Sequence, residues 1–77
     1  MAKLSDEQRG PLEALARYPD GCIEAELLTG GFSIRLLSGL VIDGYATLQR
    51  KRIDVGGREQ MVLWMEITED GRKAVEA

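Results

Sequence analysis

Apolar residues recur every three to four positions in the first half of the chain and every second position in much of the rest. The first helical stretch covers residues 6–17, with Leu12, Leu15 and Ala16 on one face. Ser5-Asp6-Glu7-Gln8 opens it as a capping box, with Ser5 as N-cap and Gln8 reaching back. Pro11 removes one backbone donor, so the helix either kinks there or begins near Gly10. Tyr18-Pro19-Asp20-Gly21 ends it. Residues 22–28 read as a short second helix in which Ile23 and Leu27 stack one turn apart. Thr29-Gly30-Gly31-Phe32 supplies a tight turn, Ser33 caps a third helix, and Gly44 follows its end. Leu36, Leu37, Leu40 and Val41 form the core side of that helix. Arg35, Ser38, Gly39 and Ile42 form the side it offers to a partner.

The pattern then changes period. Residues 45–53 and 59–67 read as strands, joined by Asp54-Val55-Gly56-Gly57-Arg58 as a hairpin loop. Leu63, Met65 and Ile67 should face the helices, and Val62, Trp64 and Glu66 should face away. Thr68 caps a last short helix running to about Glu76, with Glu69 and Asp70 in the first turn, where the helix dipole favours negative charge. No internal repeat, linker or low-complexity stretch interrupts this order.

Seventy-seven residues make a single domain, 1–77, with a modest core. Such a core leaves a net stability of about 3–5 kcal/mol. One cysteine and no histidine rule out a disulfide within the monomer and a His/Cys metal set, and make a reducing cytoplasm the simplest home. No apolar run has the length of a membrane span, and Met1-Ala2-Lys3-Leu4-Ser5 is unlike a signal peptide. The net charge of −3 is unevenly spread: residues 1–30 carry −3, residues 31–58 carry +3, and residues 59–77 carry −3. The basic sector coincides with the third helix and the hairpin, and local potential decides where a polyanion docks.

A helix followed by a basic hairpin and a short capped helix has the order of a winged helix-turn-helix. The expected class is therefore α+β: three helices, a two-stranded β-hairpin wing and a short C-terminal helix. Leu36-Leu37-Ser38-Gly39-Leu40-Val41-Ile42-Asp43-Gly44-Tyr45 resembles the end of the recognition helix in the MarR-like bacterial regulators. Ile67-Thr68-Glu69-Asp70-Gly71-Arg72 resembles the strand-to-helix element that follows their wing. The resemblance spans roughly residues 20 to 75 as a pattern more than as identity. It implies Arg35, Ser38, Gly39 and Ile42 as groove-facing positions and residues 50–58 as the wing. It also implies double-stranded DNA as partner; base specificity from a monomer should be poor, which makes a homodimer on a two-fold site the expected form.

The chemistry of those positions leaves alternatives open. Arg50 and Arg52 share one face of their strand and Lys51 takes the other. With Arg58 at the tip, these cations could contact phosphates, or they could simply protect an exposed strand edge from pairing. Arg35 could grip a guanine edge, or pair with Glu24 or Glu26 on the preceding helix. Trp64 covers the outer sheet face, packs under the terminal helix, or marks a partner patch with Val62. Cys22 reads as a small buried filler. No catalytic constellation, cofactor motif or phosphate-cradling loop is visible, so the chain reads as a non-enzyme. The second functional class is a winged helix that binds protein without DNA.

Overall fold

The computed structural model describes residues 4–76; residues 1–3, with the N-terminal leader expectation read from them, and residue 77 lie outside it. The described residues form α1 (Asp6–Ala16), β1 (Cys22–Ile23), α2 (Glu24–Thr29), α3 (Ile34–Ile42), β2 (Ala46–Val55), β3 (Arg58–Ile67) and α4 (Glu69–Glu76). The class is α+β. The sheet is antiparallel throughout, in the order β1-β3-β2.

α1 begins at its cap. The Ser5 hydroxyl accepts the Gln8 N–H at 3.2 Å and the Gln8 side-chain oxygen accepts the Ser5 N–H at 3.1 Å. Pro11 lies inside the helix and is fully buried, so the helix does not start at Gly10. The reciprocal cap and the burial of the ring together offset the one missing backbone bond. α3 is likewise capped by Ser33, whose hydroxyl accepts the Leu36 N–H at 3.2 Å. On its inner face Leu37 and Leu40 are fully buried, while Leu36 and Val41 are half-buried. Leu37 and Leu40 join Leu12, Leu15, Leu27, Cys22, Tyr45, Ala46, Met65 and Ile67 in one core between helices and sheet, with Val41 packed against it.

Three expectations are corrected. Residues 22–28 are not one helix: Cys22 and Ile23 pair with Met65 and Trp64 as β1, and α2 runs from Glu24 to Thr29. The upper edge of β3 offers unpaired backbone groups there, and pairing with it carries Cys22 into the core. Helical spacing of Ile23 and Leu27 cannot reveal such a tertiary partner. The sheet accordingly has three strands where two were expected. The hairpin loop is also shorter than residues 54–58. Gly56 and Gly57, at φ +59° and +83°, form a two-residue turn, and pairing continues out to Val55 and Arg58. Two consecutive positive φ values match the twist of the strands they join and require glycine-like freedom. Finally, Leu63 does not face the helices as Met65 and Ile67 do; it is 39% exposed. A ten-residue strand is roughly 33 Å long, and the molecule measures 42 × 22 × 19 Å. The helices therefore cover only the base of the hairpin, and its outer half has no core behind it.

Three hydrogen bonds at Thr68 lock the helices to that base, and a fourth joins two helices to each other. Thr68 donates its hydroxyl to the Gly44 carbonyl at 2.7 Å and accepts the Gly71 N–H at 3.0 Å, while its own N–H reaches the Tyr45 carbonyl at 2.9 Å. One residue thus caps α4 and ties it to the corner between α3 and β2. Gly71 is buried at this corner, where an added Cβ would meet the Tyr45 carbonyl oxygen and the Ile67 side chain. On the opposite side, the Gln8 amide nitrogen donates to the Asp43 carboxylate at 2.7 Å, joining the start of α1 to the end of α3.

Gly71→Ala should destabilise the fold by about 1–3 kcal/mol or more, because backbone must move to admit the methyl group. Thermal unfolding followed by circular dichroism checks this, and an unchanged midpoint would refute it. Gln8→Ala removes the side-chain half of the capping box and the link to Asp43, while the Ser5 hydroxyl keeps the backbone N–H of residue 8, and should cost about 1–2 kcal/mol in denaturant titration.

Candidate nucleic-acid interface

Helical geometry sets Arg35, Ser38, Gly39 and Ile42 along one stripe of α3. Arg35 and Ser38 are exposed and Ile42 is 82% exposed, with Ile34 also on the surface. Gly39 is half-buried at the margin of the stripe; a Cβ there would sit 3.6 Å from the Gln8 amide nitrogen. The stripe therefore offers one cation, one hydroxyl and two aliphatic side chains.

The hairpin cations divide between its two faces. Strand register fixes which residues share a face. Ala46, Met65 and Ile67 are buried, and Leu48, Leu63, Arg50, Met61 and Arg52 continue their face outward. Arg50 stands opposite Leu63, and Arg52 stands opposite Met61. Lys51 and Arg58 belong to the other face, opposite Val62 and Val55. The structure thus brings Arg50 and Arg52 together and sets Lys51 and Arg58 apart from them. Two open grooves flank this row, one lined by Arg50, Met61, Val62 and Leu63, the other by Arg52, Glu59, Gln60 and Met61.

Lys51 has its own partner. Its ammonium lies 4.1 Å from the centre of the Trp64 ring, on the face turned away from the core. Trp64 is half-buried and donates its indole N–H to the Asp20 carbonyl at 3.2 Å. Beside it, Arg72 donates to the Pro19 carbonyl at 3.3 Å, so both side chains pin the turn between α1 and β1. This cation–aromatic contact at an exposed site is worth about 0.5–1 kcal/mol.

Among the described residues the only ion pair is Lys73 with Glu69 at 3.6 Å, an exposed pair along α4. Arg35 is not held by Glu24 or Glu26, and Arg50, Arg52 and Arg58 carry no carboxylate partner among the described residues. Arg52 nevertheless shares a groove with Glu59, which weakens the local positive potential. Among the described residues no group of three His, Cys, Asp or Glu side chains is placed to hold a metal ion. No helix among them is long and apolar enough to cross a membrane.

Sequence reasoning named Gln8 and Thr68 as capping residues but missed the long-range contacts by which they hold this surface in place. The Thr68 hydroxyl ties the corner after α3 to the end of β3, the Gln8–Asp43 bond ties the end of α3 to α1, and each depends on a partner far away in the chain. It also missed the exposed apolar row. The alternation Leu48-Arg50-Arg52 against Leu63-Met61 was a readable signal once the strand ends were known.

Cys22 is buried in β1. Burial, and to a lesser degree the nearby Glu26 carboxylate, pushes its thiol pKa above the ordinary value. The unfolded chain then ionises this thiol first, so its contribution to stability is complete below about pH 8.5 and falls as pH rises further. Denaturant midpoints measured at pH 8 and pH 10 should diverge more for the wild type than for Cys22→Ala, and equal divergence would refute the effect.

The chain matches no known family model, no curated protein and no solved structure.

Proposed function

We propose that the chain is a cytoplasmic winged-helix DNA-binding protein, in the manner of the MarR-like regulators it resembles. In this reading it is a transcription regulator or an accessory DNA-binding domain. α3 is the recognition helix, β2 and β3 are the wing, and double-stranded DNA is the ligand. The observation that carries the reading is the pair Arg50 and Arg52, exposed on one face of a projecting hairpin and free of carboxylate partners among the described residues. Guanidinium groups in such a position contact phosphates and set the register of a protein on a duplex without reading sequence.

Arg35, Ser38, Gly39 and Ile42 would line the groove, with Arg35 alone able to grip a base edge in two places. Base specificity from one copy is then low. Lys51, held over Trp64, and Arg58, on the same face as Lys51, play a smaller part in this reading than Arg50 and Arg52.

The second reading is a winged helix that binds protein. Ile42, Leu48, Met61 and Leu63 favour it, because four large apolar side chains are exposed on the surfaces assigned to DNA.

If Arg35, Arg50 and Arg52 each neutralise one phosphate, log K against log salt should have a slope of about −2.7. Replacing Arg50 and Arg52 by alanine should bring it to about −0.9. Fluorescence anisotropy on a labelled random duplex checks both values. Binding indifferent to salt, or unaffected by the double substitution, would exclude the DNA reading and leave the protein-binding one.

A further inference from the structure

The outer half of the hairpin carries a charge pattern that complements itself when inverted. Along the exposed face, successive cross-strand pairs are Arg50 with Leu63, Arg52 with Met61, and Asp54 with Glu59. The face thus pairs a guanidinium with an apolar side chain at each of its two inner steps and is acidic at the tip. Met61 at its centre is 60% exposed, and Leu48 and Leu63 are also open to solvent.

The acidic pair is an independent sign that something is missing. The two-residue turn makes Val55 and Arg58 a hydrogen-bonded pair, so Asp54 and Glu59 fall in the next, closer-spaced class, with Cα atoms about 4.5 Å apart. Like charges directly opposite each other destabilise a ladder. Among the described residues neither carboxylate has an ion-pair partner.

We infer that this face is the docking site for a second copy of the same chain, with the two hairpins stacked face to face and pointing in opposite directions. A two-fold axis through the Arg52–Met61 step lays Arg50 of each copy over the acidic tip of the other. The interface is isologous, with the same patch used on both sides. Met61 meets its own symmetry mate at the axis, and Leu63 flanks it. Arg52, also near the axis, lies diagonal to its own Glu59, which offsets its approach to the second Arg52. Strand spacings give a contact of roughly 300–400 Å² per copy, well under the ~800 Å² per partner of a standard interface. The dimer is therefore weak, with a dissociation constant on the order of 10 μM to 1 mM. It holds whether or not the chain binds DNA. Because it covers Arg50 and Arg52, self-association and phosphate contact exclude one another.

Sedimentation equilibrium of the full chain at low salt tests the inference. The wild type should pass from monomer to dimer mass between about 10 μM and 1 mM, and added salt should shift it back. Arg50→Glu alone, and Asp54→Arg with Glu59→Arg, should each weaken association by at least about tenfold, since like charges then face each other. Mixing the two variants should restore association, because their faces are complementary again. Circular dichroism melts confirm that both variants fold. A wild type that stays monomeric at the highest concentration, variants that associate as it does, or a mixture that fails to recover would each overturn the inference. Duplex binding by the Arg35→Ala chain, whose substitution lies on α3 outside this face, decides the DNA reading separately, and should weaken if that reading holds.

Discussion

A single hydroxyl organises this molecule. Thr68 sits where the sheet hands over to the last helix, and its side chain both caps that helix and holds the Gly44 carbonyl. With the Thr68 N–H on Tyr45, the corner after α3 cannot move independently of the end of β3. Gly71 allows the helix to approach this corner at a distance that no other residue permits. α3 and the hairpin inherit their relative orientation from that contact. α3 and the hairpin are both local structures, and neither encodes the angle between them. The Gln8 bridge to Asp43 plays the same part at the far side of α3, so the helix is fixed at its C-terminal end from two directions.

Charge is arranged by sector rather than by sum. An acidic overall balance coexists with a basic middle third of the chain, and the fold carries that third onto an exposed helix stripe and a projecting ribbon. The ribbon divides it again. Alternation sends Arg50 and Arg52 to one face and Lys51 to the other, where its ammonium rests over the Trp64 ring. The acidic tip then limits how far the positive potential extends. Clusters counted along a sequence overstate what a single surface can present, because a strand distributes neighbours to opposite sides.

Elements governed by local chemistry were legible in the sequence. Ser5, Ser33 and Thr68 each act as a helix cap, and the inner face of α3 holds Leu37 and Leu40. What escaped was decided by partners distant in the chain. Cys22 and Ile23 become a strand because β3 has a free edge beside them, and helical spacing carries no trace of that edge. Leu63 has the alternation of a core residue, yet the helices end before they reach it. The turn was placed correctly but drawn too long, since paired glycines need only two positions to reverse a chain. Of the candidate site, the stripe on α3 and the face shared by Arg50 and Arg52 followed from periodicity. The flanking apolar row and the bridge through Gln8 did not.

The hairpin that outruns its helices gives the molecule two levels of rigidity. At the base, ladder bonds are backed by Met65, Ile67 and the helical leucines, and opening them means unfolding the domain. Toward Gly56 and Gly57 the same bonds are flanked by solvent on both sides, so their amides can exchange by fraying from the tip while the core stays closed. A ribbon of this kind bends and retwists at little energetic expense, and the domain can fit its far end to a contour that its body could never follow.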